Sequence, residues 1–327
     1  LLAACQCKGE ATPNPAKAKA EPAPISTSAP PAAAASSPSA APAASAAPAS
    51  SGTAEQAPID VSRYAWLKGD REAPAASSTL EARFPAPPGY ARVAVEARSF
   101  AEWLRGLPMA SEDTPVKTHA GEITLPAGDD YLAGVVAMDI GSSDLQQSSD
   151  VIVRLHAEWL WWRGEKEQIS YLSATKLAMP LSRWQKGQRL IPNGANVFWA
   201  VKTKPGELDY SEFRRYLDSV FNWANSSSLA LRSVSVSDPK DLRGGDFFLQ
   251  STPPSHVAVV LDVAEKPSGE RVALLGQARK AESIHVVRPG RATPWFSVRP
   301  PVPVLTPHSK GLSWEDLRRL EPGEPEK

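Results

Sequence analysis

The stretch GGDFFLQ at 244–250 followed by SHVAVVLDV at 255–263 does most to fix the reading of this chain. Each part carries a run of Phe, Val and Leu of strand length, and the STPP segment between them is turn chemistry. Such runs bounded by Pro, Gly and Ser are expected to be neighbouring antiparallel strands. RVALLGQ (271–277) follows after a KPSG turn, and SIHVV (283–287) after that. The C-terminal third is therefore a meander of short strands.

Upstream the period changes from two to nearly four. Ser99 precedes FAEWL and is expected to cap a short helix ended by Gly106 and Pro108. YLAGVVAMDI (131–140) reads as a buried strand. A helix is expected from about 144 to 162, with Leu145, Ser148, Ile152, Leu155, Trp159 and Trp162 on one face. A second is expected from about 210 to 224, its stripe carrying Phe213, Tyr216, Leu217, Val220 and Phe221. Asp209 and Glu212 have capping-box spacing there. Helices followed by a strand meander predict an α+β fold, a helix packed on an antiparallel sheet with additional N-terminal α/β elements.

The other end of the chain is different in kind. Leu2-Ala3-Ala4-Cys5 reads as a lipoprotein processing site, so residues 1–5 are expected to be the remnant of a signal peptide ending in an acylated cysteine. Acyl chains on Cys5 imply a membrane partner and an exported, lipid-anchored place in the bacterial cell envelope. Residues 6–79 begin with Ala, Pro and Ser in long runs, offer little to bury, and are expected to be a disordered tether. A single globular domain is expected over 80–322, with a short tail at 323–327. The only cysteines are Cys5 and Cys7, so the domain has no disulfide, thiolate metal site or cysteine nucleophile. Basic and acidic residues balance at 36 each, without a basic stripe, which argues against nucleic acid as a partner.

Phosphate-binding glycine loops and the HExxH zinc pattern are missing, so neither cofactor nor metal is expected. Asp139-x-Gly-x-x-Asp144 faintly echoes a calcium loop without its ligand series, and is expected to be a turn and helix N-cap. Arg154 and Glu158, four apart, are expected to pair on a helix surface. Trp159, Trp161 and Trp162 could stack on sugar rings, but two of them lie on the apolar stripe and are expected to pack. His119, His156 and His308 have no acid or nucleophile beside them in sequence. His285, among apolar residues, is expected to be a satisfied sheet histidine.

The Gly245-Asp246-Phe247-Phe248 and Ser255–Asp262 segments resemble the GD…FF…HVGIYLG pattern of papain-like cell-wall endopeptidases and amidases. That resemblance implies a base at His256 and an orienting group at Gln277 on the following strand. The implied partner is peptidoglycan or another envelope peptide. A longer series of ordered matches also resembles a bacterial family of unknown function, number 4846: FPAPPGY (84–90), SFAEWLRGLP (99–108), DLQQSSDVIVRLHAEWL (144–160), DYSEFRRYL (209–217) and TPWF (293–296). Members of that family typically carry a cysteine where this chain has Ser148. A serine hydroxyl is a far weaker nucleophile than a thiol that is partly ionised near neutrality. Ser211, opening the second helix, is the alternative nucleophile position, but it falls off the apolar stripe. Two classes stay open: a weak or inactive papain-like amide hydrolase with Ser148, His256 and Gln277 as its catalytic set, and a non-catalytic envelope binding or scaffolding lipoprotein.

Overall fold

Strand-forming Phe, Val and Leu runs build a large antiparallel sheet. Its strands in chain order are β1 (Ala91–Arg92), β2 (Leu132–Val135), β3 (Ser233–Ser235), β4 (Phe247–Gln250), β5 (His256–Glu265), β6 (Arg271–Gln277), β7 (His285–Val287), β8 (Phe296–Val298) and β9 (Leu317–Leu320). The spatial order is β3-β9-β4-β5-β6-β7-β2, with β1 added to β5 and β8 to β6. The computed structural model describes residues 59–250, 255–306, 309 and 311–321. Cys5, the expected signal remnant, most of the expected tether, the expected turn at 251–254, His308 and the tail lie outside those residues.

Alternation along β5 divides the interior into layers. Val257, Val259 and Leu261 join a core with Ile152 and Leu155 of helix α2 (Asp150–Arg163) and with Trp103 and Leu104 of helix α1 (Phe100–Arg105). Ala258 and Val260 belong to a separate core on the other sheet face, with Phe248, Leu275, Val287 and Leu317. The remaining side of α2 (Val153, Ala157, Leu160) packs on helix α3 (Tyr210–Phe221) through Phe213, Tyr216, Leu217 and Val220. Helix α2 is thus buried on nearly all sides. The fold is mixed α+β, with a large antiparallel sheet and few, mostly short helices.

Several boundaries differ from the expectation. The Ser99 cap of α1 is as read, its Oγ accepting from Glu102 N at 3.2 Å. Helix α2, however, starts at Asp150 and not near 144. Residues 144–149 turn instead, because the Asp150 carboxylate accepts from Gln147 N (3.0 Å) and Gln146 reaches back to Arg154. Asp144 therefore caps nothing; Ser149 is the N-cap. At α3 half of the expected box is present, Asp209 accepting from Glu212 N at 2.8 Å, while the Glu212 carboxylate turns to Trp184 Nε1.

The expected tether boundary at residue 79 is too late. Tyr64 and Trp66 are buried in the core, and Trp66 Nε1 donates to Ala137 O at 2.7 Å. Ala76–Thr79 is a strand paired with Pro108–Ala110. Two large aromatics within a few residues carry enough apolar area to order this segment. Among the described residues no helix is long and apolar enough to cross a membrane.

Candidate functional site

His256 is the first residue of β5 and Gln277 the last of β6, and both side chains lie on the sheet face of Ala258 and Leu275. His256 Nε2 and Gln277 Oε1 are 2.8 Å apart and buried. An amide oxygen only accepts, so Nε2 carries the proton and, in the neutral ring, Nδ1 holds the lone pair. Gln277 Nε2 in turn donates towards His285 Nε2 at 3.4 Å, and His285 Nδ1 donates to Ser283 O at 3.0 Å. Burial pushes the His285 imidazole below its ordinary range, in keeping with the neutral tautomer this chain requires. His285 was read as a satisfied sheet histidine, and it is one. Its part in orienting Gln277 was not legible, because the register pair Gln277↔His285 exists only once the strands have met.

Ser148 reaches the same end of the sheet. Its Oγ accepts from Val257 N at 2.8 Å, next to His256 in the chain. The β5–β6 ladder starts only at Val259↔Gly276, so Ser148 joins β5 just short of it. The side chain is 7% exposed and His256 4%. Ser148 is therefore turned inward as expected, but from the turn before α2 and not from a helical position. Ser211 is elsewhere in the arrangement: half-buried, it sits 3.5 Å from Asp70.

The GD pair has a structural task. Gly245 adopts φ +95°, and a Cβ there would lie 2.5 Å from Phe100 Cδ1. Asp246 accepts from Arg243 N (3.0 Å) and from Arg319 Nε (2.6 Å), tying the turn to β9. Burial pushes the Asp246 carboxyl up, against the pull of Arg319.

A cleft of about 630 Å³ opens over this turn. Its walls are the Val93–Ala97 segment that continues β1, the Arg243–Asp246 turn, Phe100 of α1, and His156, Trp159 and Arg163 of α2. Ser148, His256 and Gln277 do not line it. Phe100 and Trp159 face each other at 5.3 Å between ring centroids, with His156 edge-on to Phe100 at 5.6 Å. Trp159, expected to pack, does pack against both cores flanking α2, and its half-buried ring also forms a wall of the cleft. Trp161 stacks on Phe213 at 4.5 Å, and Trp162 lies between Arg63 and Arg98.

A family model described as Domain of unknown function (4846) matches residues 80–319. The chain belongs to this family. The 4846 span includes the whole sheet but its last residue, α1 to α3, the cleft and the Ser148–His256–Gln277 end; the Tyr64–Trp66 segment precedes it. No curated protein and no solved structure matches the chain.

Helix α2 also carries a buried charge cluster within the 4846 span. Arg154 and Glu158, expected as a surface pair, are 0% and 1% exposed and 2.9 Å apart. Arg154 also bonds Asp139 (2.6 Å) and Gln146 (2.9 Å), Arg214 reaches Asp139 at 3.1 Å, and Tyr210 donates to Glu158 at 2.7 Å. Burial drives the Asp139 carboxyl upward, but the Arg154 and Arg214 guanidiniums outweigh it and hold it well below the carboxylate range. Burial prevails at Glu158, which is raised. The i,i+4 spacing was correct. The wrong surroundings came from assuming one apolar stripe, when α2 is covered by the sheet on one side and α3 on the other. Among the described residues no group of His, Cys, Asp and Glu could hold a metal ion.

Proposed function

We propose that this protein is a lipid-anchored envelope protein whose domain binds a ligand without turning it over, on a papain-like scaffold that keeps Ser148, His256 and Gln277 as a brace at the sheet end. The observation that carries this reading is the Ser148 hydroxyl. It accepts the Val257 N–H at 2.8 Å in a nearly closed environment, and it does not line the large cleft. A lone pair engaged by an amide N–H is less available for attack, and a serine starts as a weak nucleophile. A neutral Gln277 orients His256 but cannot stabilise an imidazolium as a carboxylate would.

The test is Ser148→Cys in a background lacking Cys5 and Cys7. As a packed acceptor site, the introduced thiol should alkylate slowly at pH 6 to 7, and adding His256→Ala should not change its rate. Rapid alkylation that slows on adding His256→Ala would reveal a base-activated nucleophile position and return the protein to the hydrolases. The anchor is tested separately: Cys5→Ser, expressed from the complete gene, should leave the membrane fraction, and unchanged partitioning would remove the lipoprotein reading.

A further inference from the structure

We propose that the cleft between the Val93–Ala97 segment and the Arg243–Asp246 turn binds a short extended peptide with free amino and carboxyl ends. The inference rests on the binding reading above and names the ligand class of that site.

The main chain makes the first argument. Val93 is pinned at both polar groups, its N–H to Val263 O (3.0 Å) and its C=O to Arg105 Nη2 (2.6 Å). Ser99 N closes the other end onto Glu96 O at 3.2 Å. Between these points the N–H and C=O groups of Ala94 and Val95 make no hydrogen bond among the described residues. A pinned segment with unpaired main-chain groups along a cleft is what an extended peptide adds to, main chain to main chain.

Charge makes the second. Of the arginines at the cleft, Arg105 is paired with Asp262, Arg163 with Glu165 and Arg319 with Asp246. Arg243 is exposed, and its guanidinium makes no hydrogen bond or ion pair among the described residues, feeling only the longer-range pull of the Asp246 carboxylate. Of the acids, Glu165 and Asp246 are taken by those same pairs, and exposed Glu96 on the Val93–Ala97 segment has none among the described residues. One cation and one anion outside any ion pair, both lining the cleft, match the two ends of a short zwitterion.

The third argument is the wall between them. Tyr171 OH donates to Val153 O (3.3 Å), so it accepts from His156 Nδ1 (3.1 Å), which leaves Nε2 as the acceptor of the ring. Burial, helped by Arg232, lowers the His156 imidazole to about 4, so it is neutral at physiological pH. His156 thus lines the cleft as an acceptor for a peptide N–H, beside Phe100 and Trp159 for a side chain. The volume of about 630 Å³ is in the range of small-ligand sites.

The experiment uses the full chain labelled with 5-fluorotryptophan, with the Trp159 resonance assigned by Trp159→Phe, titrated with Ala-Phe-Ala. The free tripeptide should shift that resonance. Amidating its carboxyl end should weaken binding roughly tenfold, the loss of one charge-assisted contact, and Arg243→Ala should abolish that difference. Acetylating the amino end should do the same against Glu96→Gln, and N-methylation of the Phe amide nitrogen should weaken binding in every variant. Equal binding of free, blocked and N-methylated peptides overturns the proposal. If millimolar tripeptide is silent but chitotetraose shifts Trp159, the peptide inference falls and the binding reading stands. If neither shifts it, both lose their site.

Discussion

Replacing Arg154 by Met removes the centre of the α2 charge cluster while nearly preserving side-chain length. Were Arg154 and Glu158 a helix-surface pair, the cost would be about 0.2–0.5 kcal/mol. Both are buried, and Arg154 also holds Asp139 and Gln146. Removing one partner of a buried ion pair costs about 3–5 kcal/mol. Each orphaned carboxylate keeps one partner, Arg214 for Asp139 and Tyr210 for Glu158. Glu158, already raised by burial, can also take up a proton. The loss should therefore fall near the lower end, about 3 kcal/mol, or about 6–12 °C in Tm for a domain of this size. Urea unfolding at pH 7 followed by far-UV circular dichroism measures it, with an unchanged m-value marking intact two-state behaviour. The pH dependence has a definite sign. A carboxyl whose folded-state value is raised contributes stability at low pH and loses it as pH rises through that value, so the deficit of Arg154→Met should be larger at pH 8 than at pH 5. The double variant Arg154→Met/Glu158→Leu should recover part of the loss. A deficit below about 1 kcal/mol, the scale of exposed pairs, or one indifferent to pH, would refute the buried-cluster reasoning.

His156 is lowered to about 4 from an ordinary 6.5. A depressed histidine contributes stability above the unfolded value that is lost as pH falls from about 6.5 to about 4, at most about 3 kcal/mol over that window. His285 acts in the same direction, so the measurement is the difference between wild type and His156→Phe; identical slopes would show that His156 does not titrate as described. Trp66→Ala should cost about 3–5 kcal/mol in the same urea assay, because the ring is 2% exposed and its Nε1 is bonded to Ala137 O. A negligible change would return residues 59–79 to the tether.

The pairing of His256 with Gln277 was implied by the papain-like resemblance; read alone, the chain disclosed the strand meander from Phe247 to Val287 and the Ser99-capped helix. These follow from short-range rules: period-two apolar runs, turn residues between them, and a capping hydroxyl three residues before an amide. It also determined that no cysteine could serve the domain. Three matters were decided only by tertiary structure. Ser148 was legible as an inward residue, but its commitment to Val257 N depends on where the 144–149 turn meets β5. Arg154 and Glu158 were legible as partners, but whether water or α3 covers them is a question of packing. The cleft was not legible at all. It is formed by segments some 150 residues apart, Val93–Ala97 and Arg243–Asp246, brought together where β4 leaves β5 and β1 takes its place. Sequence periodicity reports which side of an element is apolar. It carries no information about the second surface that will cover that side, and burial, charge pairing and clefts are properties of two surfaces together.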